Sequence, residues 1–466
     1  MNEIETDLIK FIKNENCIII ANDDKIVSNL DILEIKTILI DDINFLNSKF
    51  LSKFFTSSKN VYFFINNIMD EKSFNSISTH SLLSYFNAIN QIYNSILYHK
   101  RDFKHKKFLK KVSKYGDVNN VCIEDINNIL YIGQTGTSGY ASATKGYVAD
   151  YVMRGNNIKW IPLKFDDSKN DNNYYVDLVA DSATRKEVDK FDFSILHTTP
   201  DLWRSYKNKY KKILSEKIVG YTVWETNLLP KKWVENINLL DEVWVPSKFN
   251  EEVFLDSGVR SKLKIVPHVY HPENLIDKNK IKLFDYFGNE IPNDKYTFYS
   301  IGEYHTRKGI DDTIKVFDRL YESNKNIQLV LKLHFRNHGE IENVLYIINS
   351  IKKLTNNLNK SIYIILDNLS RNQIVALHSF CDCYVSLNKG EAFGLTVFDA
   401  NNFKKPLITT KYGGPLDFVD NEKMVNCKIE KVKGMESFSK IYTEEQSWAY
   451  PDLDDAFDKM KLYINK

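Results

Sequence analysis

The chain has 466 residues, enough for two or three domains. With 43% hydrophobic and 27% charged residues and a net charge of +2, it has an ordinary globular makeup and no field that would gather nucleic acid. Five cysteines (Cys17, Cys122, Cys381, Cys383, Cys427) show no metal-type spacing, which argues for reduced thiols in a cytoplasmic setting. The N-terminus lacks a signal-type apolar core, and no run approaches the ~18 apolar residues that suggest a membrane span.

Residues 1–115 carry three short β-branched or aromatic runs, at 17–21, 37–40 and 61–65, that predict strands. Helical periodicity at 5–13 and 82–98 alternates with them, so this stretch reads as an α/β extension of unassigned role. A dense basic run follows from Lys100 to Lys114, with Phe103, Phe108, Leu109 and Val112 interleaved. As a helix it would present either a solvated face or a surface for peripheral contact with an anionic membrane.

A new unit opens near residue 127. A strand at 129–133 leads into Gln-Thr-Gly-Thr-Ser-Gly139-Tyr140, a helix pattern over 141–153, and a further strand at 158–163. That is the opening of a doubly wound sheet, whose ligands sit beyond the carboxyl ends of the strands. The loop with Gly139 and Tyr140 is either one that faces the donor phosphates or the acceptor, or an ordinary turn, since its glycines do not match the dinucleotide fingerprint. The run 193–197 ends a strand on His197. Next come Val-Gly-Tyr-Thr-Val-Trp-Glu225-Thr, Leu-Pro-Lys-Lys-Trp233, Asp-Glu-Val-Trp-Val-Pro-Ser247 and Val-Pro-His268. Glu225 stands in an apolar context and needs either a protein partner or a ligand.

Residues 270–293 are polar and suit an interdomain linker. A second Rossmann-like unit begins with the strand 296–301 and the loop Gly-Glu303-Tyr-His-Thr-Arg307-Lys308-Gly. Two adjacent cations after such a strand favour phosphate contact. Lys332 lies on the strand 329–334, directed either to the cleft or outward along the sheet. A strand over 381–387 then runs into Lys-Gly-Glu391-Ala-Phe393-Gly394-Leu395-Thr396-Val-Phe-Asp399. Strand, glycine turn and helix N-terminus together aim free N–H groups and a positive dipole end at one point, which makes an anion site. Glu391 precedes the helix and Asp399 lies about one and a half turns into it. At ~1.5 Å per residue, the two acids could hold hydroxyls on either side of a diphosphate; two solvated acids beside a helix cap is the plainer alternative.

From residue 127 to 466 these motifs resemble family 4 of the retaining glycosyltransferases with the GT-B fold, which carries a Glu-x7-Glu motif. The resemblance implies an α/β architecture of two facing Rossmann-like domains: an acceptor-side domain over 127–275, a donor domain over 290–440, and a terminal helix in 441–466 crossing back to the first. It implies that Glu391 meets the donor sugar, that Phe393, Gly394, Leu395 and Thr396 line the phosphates, and that Asp399 holds the ribose. His197 would lie near the transferred sugar, and Lys308 would neutralise the leaving diphosphate. Asp399 replaces the family's second Glu, and Glu303 stands where the family has Arg, so that Arg307 would supply the second charge. Gly139 and Lys332 would join the donor set, and Glu225 and Tyr140 would be either acceptor-side or structural.

The implied activity is sugar transfer from a nucleoside-diphosphate sugar to a glycan, lipid or protein acceptor, with retention and without metal or cofactor. Another GT-B activity, such as a phosphorylase or sugar-nucleotide epimerase, and a non-catalytic sugar-nucleotide or glycan binder are the alternatives. A phosphorylase would need a pyridoxal lysine, which the sequence does not locate. Glu303 and Asp399 favour the binder.

Overall fold

A computed structural model describes residues 127–164, 175–271, 273, 275–334, 341–433 and 441–464, together with four short strands nearer the N-terminus. Those strands are β1 (Ile18–Ala21), β2 (Thr37–Leu39), β3 (Val61–Phe64) and β4 (Ile96–Tyr98). They form one sheet in the order β2-β1-β3-β4, with β1 parallel to β2 and β3, and β4 antiparallel to β3. The first three fall within the expected strands. β4 corrects the end of the helix expected over 82–98, because Ile96, Leu97 and Tyr98 pair along β3 instead of continuing a helical face; residues 82–95 lie outside the described residues. The helix pattern at 5–13 and the basic run from Lys100 to Lys114 lie outside the described residues.

Two six-stranded parallel sheets follow. The first contains β5 (Asn128–Thr135), β6 (Asn157–Lys164), β7 (Phe193–His197), β8 (Ile218–Tyr221), β9 (Glu242–Val245) and β10 (Lys262–Ile265), in the order β10-β9-β8-β7-β5-β6. The helix Gly139–Met153 follows β5, and the Ser138 hydroxyl caps it by accepting the Ala141 N–H. β8 ends at Tyr221, short of Glu225. The Thr222 N–H still donates to the Trp244 carbonyl (3.3 Å), and the amide of Asn250 holds the backbone at Trp224, accepting its N–H (3.1 Å) and donating to its carbonyl (2.6 Å).

The second sheet contains β11 (Tyr296–Glu303), β12 (Ile327–His334), β13 (Ile362–Ile365), β14 (Cys383–Ser386), β15 (Leu407–Thr410) and β16 (Met424–Val425). Its order, β13-β12-β11-β14-β15-β16, reverses direction between β11 and β14, the place where doubly wound sheets form sites. Side chains alternate between two cores, as the strand period of two requires. Phe298, Leu329, Leu331, Ile364 and Val385 pack on Ile314, Phe317 and Leu320 of the helix Ile310–Ser323. Tyr299, Val330, Ile365 and Tyr384 pack on Leu377 and Phe380 of the helix Arg371–Phe380, with Val397 and Ala400. Burial of each such side chain is worth about 1.5–3 kcal/mol, which is why these strands are apolar on both faces.

The chain divides into two compact units. One comprises residues 1–197, 210–218 and 271–274; the other comprises residues 198–209, 219–270 and 275–466. Residues 219–270, expected to belong with 127–218, cluster in the second unit because their loops bond to those of the second sheet: Ser247 Oγ donates to the Ala392 carbonyl (2.7 Å), and Asp417 accepts the Lys248 N–H (2.8 Å). Residues 275–293 form no loose linker. Ile281 and Ile291 are buried in the second core, and the Tyr286 N–H donates to the Ile364 carbonyl at 2.7 Å. β17 (Cys427–Lys431) and β18 (Ser447–Pro451) form an antiparallel pair. The terminal helix Leu453–Ile464 buries Ala456 and Met460 in the Phe298 core, and Arg319 pairs with Asp454 at 2.8 Å. It is the segment before this helix, through Tyr442 and Ser447, that meets Glu225 and Asn227.

Candidate active site

The loops after β11 and β14 meet at the point where the second sheet reverses. The first makes a short turn over Thr306–Lys308 and enters its helix through Gly309, at φ +65°. A Cβ on Gly309 would stand 1.8 Å from the Leu387 carbonyl oxygen, so only glycine lets the two loops come this close. The Lys389 N–H donates to the Arg307 carbonyl at 2.7 Å and fastens one loop to the other. The second loop turns into the helix Leu395–Asn402 through Gly394, at φ +85°. Beneath it, the Gly414 N–H donates to the Glu391 carbonyl at 2.8 Å. The loop carrying Gly413 and Gly414 therefore supports the Glu391 turn, and Asp417 that follows it accepts the Lys248 N–H at the start of the helix Lys248–Asp256.

Glu391 is 8% exposed and lies between two cations. The Lys308 ammonium hydrogen-bonds its Oε1, and Arg307 Nη1 stands 3.7 Å from its Oε2. Burial alone would push the Glu391 carboxyl up, but the charges of Lys308 and Arg307 and the Lys308 hydrogen bond outweigh it and hold the carboxyl below its usual range. Arg307 also donates from Nη1 to the Gly390 carbonyl (2.6 Å), with Nη2 3.4 Å from Glu225 Oε1. Glu225 Oε2 in turn accepts the Tyr442 hydroxyl at 2.8 Å. Burial opposes the charge on Arg307, but Glu225, Tyr442 and Glu391 hold its pKa above the ordinary value, so the guanidinium stays charged.

A second cluster surrounds the helix Leu395–Asn402. Asp399 makes a two-pronged ion pair with Arg371, one contact of which is 3.2 Å, at the first position of the helix that Ser370 caps. The Thr396 hydroxyl accepts from Tyr384 at 2.7 Å. Phe393 is 4% exposed and packs edge-on against Phe398 (5.0 Å) and His268 (4.7 Å). Burial lowers the His268 pKa to about 3, so that ring is neutral. Lys332 is 5% exposed on β12, and burial lowers its pKa to about 8, against a smaller opposing effect of Asp367.

The remaining candidates lie in the first unit. His197 is 1% exposed at the end of β7; its Nδ1 lies 2.7 Å from the Tyr131 hydroxyl and 3.2 Å from the Thr144 hydroxyl. The Tyr140 ring lies 5.6 Å from the His197 ring. Gly139 opens the helix with nothing within 4 Å of where a Cβ would stand. The structure thus joins Glu391, Lys308, Arg307 and Glu225 in one network, pairs Asp399 with Arg371 and Thr396 with Tyr384 on the helix that follows, and sets His197 with Tyr140 in the other unit. Sequence reasoning missed Tyr442 and Arg371. Arg371 had a signal, the Ser-Arg-Asn-Gln capping pattern that starts its helix; Tyr442, 217 residues from Glu225, had none. Among the described residues, no group of three or more His, Cys, Asp or Glu side chains is placed to hold a metal ion. Nor is any helix among them long and apolar enough to cross a membrane.

No curated protein matches the chain. Among solved structures, it is similar to Anabaena HepE, crystallised with UDP-glucose, at 16% identity over 63% of this chain and 83% of that one, with a TM-score of 0.44. It is similar to S. aureus TarM at 16% identity over 59% and 48% of the two chains, with a TM-score of 0.40. For α,α-trehalose 6-phosphate synthase of Burkholderia multivorans the values are 10%, 63%, 85% and 0.41. Residues 282–440, which hold both loops of the site, match the family model of glycosyl transferases group 1.

Proposed function

We propose that the protein is a retaining, GT-B glycosyltransferase of the family 4 type, taking its sugar from a nucleoside-diphosphate donor. One observation carries this reading: in the group 1 domain, Glu391 and Lys308 are joined at the reversal point of a doubly wound sheet, beside the N-terminus of a helix. A leaving diphosphate needs positive charge and free N–H donors, and a carboxylate beside them can hold the sugar. In the reaction, the bond from the anomeric carbon to the diphosphate breaks with its electron pair on the leaving oxygen. The acceptor hydroxyl bonds the same face, and its proton passes to the diphosphate. No metal or cofactor enters this scheme. The acceptor is a glycan, lipid or protein hydroxyl, and a cytoplasmic setting fits the reduced cysteines.

The test is release of nucleoside diphosphate from a panel of UDP-, GDP- and ADP-hexoses, with NMR of the product anomer. Release with an inverted product would overturn retention; no release from any donor that binds would favour the second reading, a sugar-nucleotide binder. That second reading has support in Asp399, whose carboxylate is already engaged by Arg371.

A further inference from the structure

Arg307 and Lys308 are adjacent, yet their side chains are used differently. Lys308 reaches a single carboxylate and its side chain is 21% exposed. The Arg307 side chain is 10% exposed and directed at protein acceptors: the Gly390 carbonyl at 2.6 Å, Glu225 at 3.4 Å and Glu391 at 3.7 Å. Its main-chain carbonyl takes the Lys389 N–H at 2.7 Å. Arg307 therefore grips the Glu391 turn on both sides of Gly390. A Cβ on Gly390 would stand 2.4 Å from the Glu225 carbonyl oxygen, so the turn is pressed against Glu225 as well.

Glu225 is itself held from behind. Tyr442 donates to its Oε2 at 2.8 Å and stacks on Trp224, with ring centroids 5.0 Å apart and planes 18° apart. The Trp224 indole N–H donates to the Thr226 hydroxyl (2.7 Å) and the Leu228 carbonyl (2.8 Å), and Asn250 fixes its backbone. For the guanidinium to swing onto a phosphate it would have to leave the half-buried Glu225 carboxylate and the Gly390 carbonyl behind, each of which loses more than a fully exposed group would.

We propose that Arg307 is a positioning residue, held by Glu225 and Tyr442, that fixes the turn presenting Glu391 and is not itself a ligand of the diphosphate. The assignment rests on the glycosyl-transfer reading above. Such a residue acts on the transition state through Glu391 and leaves ground-state nucleotide binding alone.

The experiment compares the full-length protein with Tyr442→Phe, Arg307→Lys and the double variant, measuring kcat, donor KM and the inhibition constant of the nucleoside diphosphate. Tyr442→Phe keeps the ring on Trp224 and removes only the hydroxyl behind Glu225, so it decides the matter even if Arg307→Lys does not fold. A positioning role predicts that each single variant lowers kcat about tenfold, that KM and the inhibition constant stay within about twofold, and that the double variant is no worse than the poorer single. If Arg307→Lys weakens nucleoside-diphosphate inhibition while Tyr442→Phe is silent, Arg307 is a phosphate ligand and the proposal is wrong. A wild type that turns over no donor overturns the transferase reading and this assignment with it. An active wild type with an unchanged Tyr442→Phe overturns the positioning role alone.

Discussion

Replacing Lys332 with Met should stabilise the protein at neutral pH. Across β12, Lys332 is flanked by Ile301 of β11 and Ile365 of β13, and its ammonium donates to one acceptor, the Leu333 carbonyl at 3.2 Å. Burial lowers its pKa from the ordinary 10.5 to about 8. A fall of that size corresponds to roughly 3 kcal/mol of stability withheld while the folded chain must carry the buried charge. Met has a similar length and no charge, so the variant should recover roughly 1–3 kcal/mol, a rise of a few degrees in Tm. The sign with pH follows from proton binding. Above about pH 8 the folded state loses this proton before the unfolded chain does, so the wild type gains stability up to about pH 10 and the variant has no such term. Thermal unfolding of both proteins at about pH 7 and about pH 10 is the assay. A variant destabilised at neutral pH, or a gain that does not shrink towards pH 10, would refute the reasoning. Should Lys332 also contact the donor, the more stable variant will bind nucleoside diphosphate more weakly in a calorimetric titration.

Glu391→Gln should lower kcat at least tenfold, on the order of one lost charge-assisted hydrogen bond of ~1.5–3 kcal/mol, with little change in donor KM; steady-state kinetics on a folded variant decides it. Because Lys308 and Arg307 depress the Glu391 pKa, its ionised form stabilises the fold above the unfolded carboxylate value near ~4.3, and that stability is lost as pH falls through the lower folded value. Acid titration of Glu391→Gln should therefore show a shallower loss than the wild type. Asp399→Asn should mainly raise donor KM, whereas Asp399→Glu keeps the ion pair to Arg371 and should bind donor as well or better. A change in kcat alone would contradict the ribose role.

The local parts of this protein were legible because each rests on neighbours in sequence. The strand over 193–197, the β11 and β12 runs and the Gly394 turn follow from apolar periodicity and glycine placement, and the chain folds them within a residue or two. Glu391 beside Lys308 was legible only through the resemblance, since 83 residues separate them. What escaped was long-range bonding. Nothing in the polar stretch 275–293 announces that Ile281 and Ile291 fill the Tyr299 core. Nothing near Glu225 announces Tyr442, nor that the Asn250 side-chain amide, 26 residues from Trp224, pairs with its backbone. A side-chain amide bonded to a distant backbone leaves no periodic trace.

The charges of the site bear on how it would work. Glu225, Arg307, Glu391 and Lys308 form a row of alternating sign that sums to zero before any donor arrives. A row that is already neutral gives little general attraction to a dianionic diphosphate, so donor capture would depend on the helix N-terminus at Leu395 and on a change of partner by one cation. Lys308 can make that change at small cost: its chain is flexible, it is the more exposed of the two, and Arg307 remains beside Glu391 when it leaves. Moving Lys308 onto the diphosphate would also free Glu391 Oε1 for a sugar hydroxyl at the same moment. Donor binding and exposure of the carboxylate are then one event, and that coupling requires the turn to hold still, which is the work assigned to Arg307.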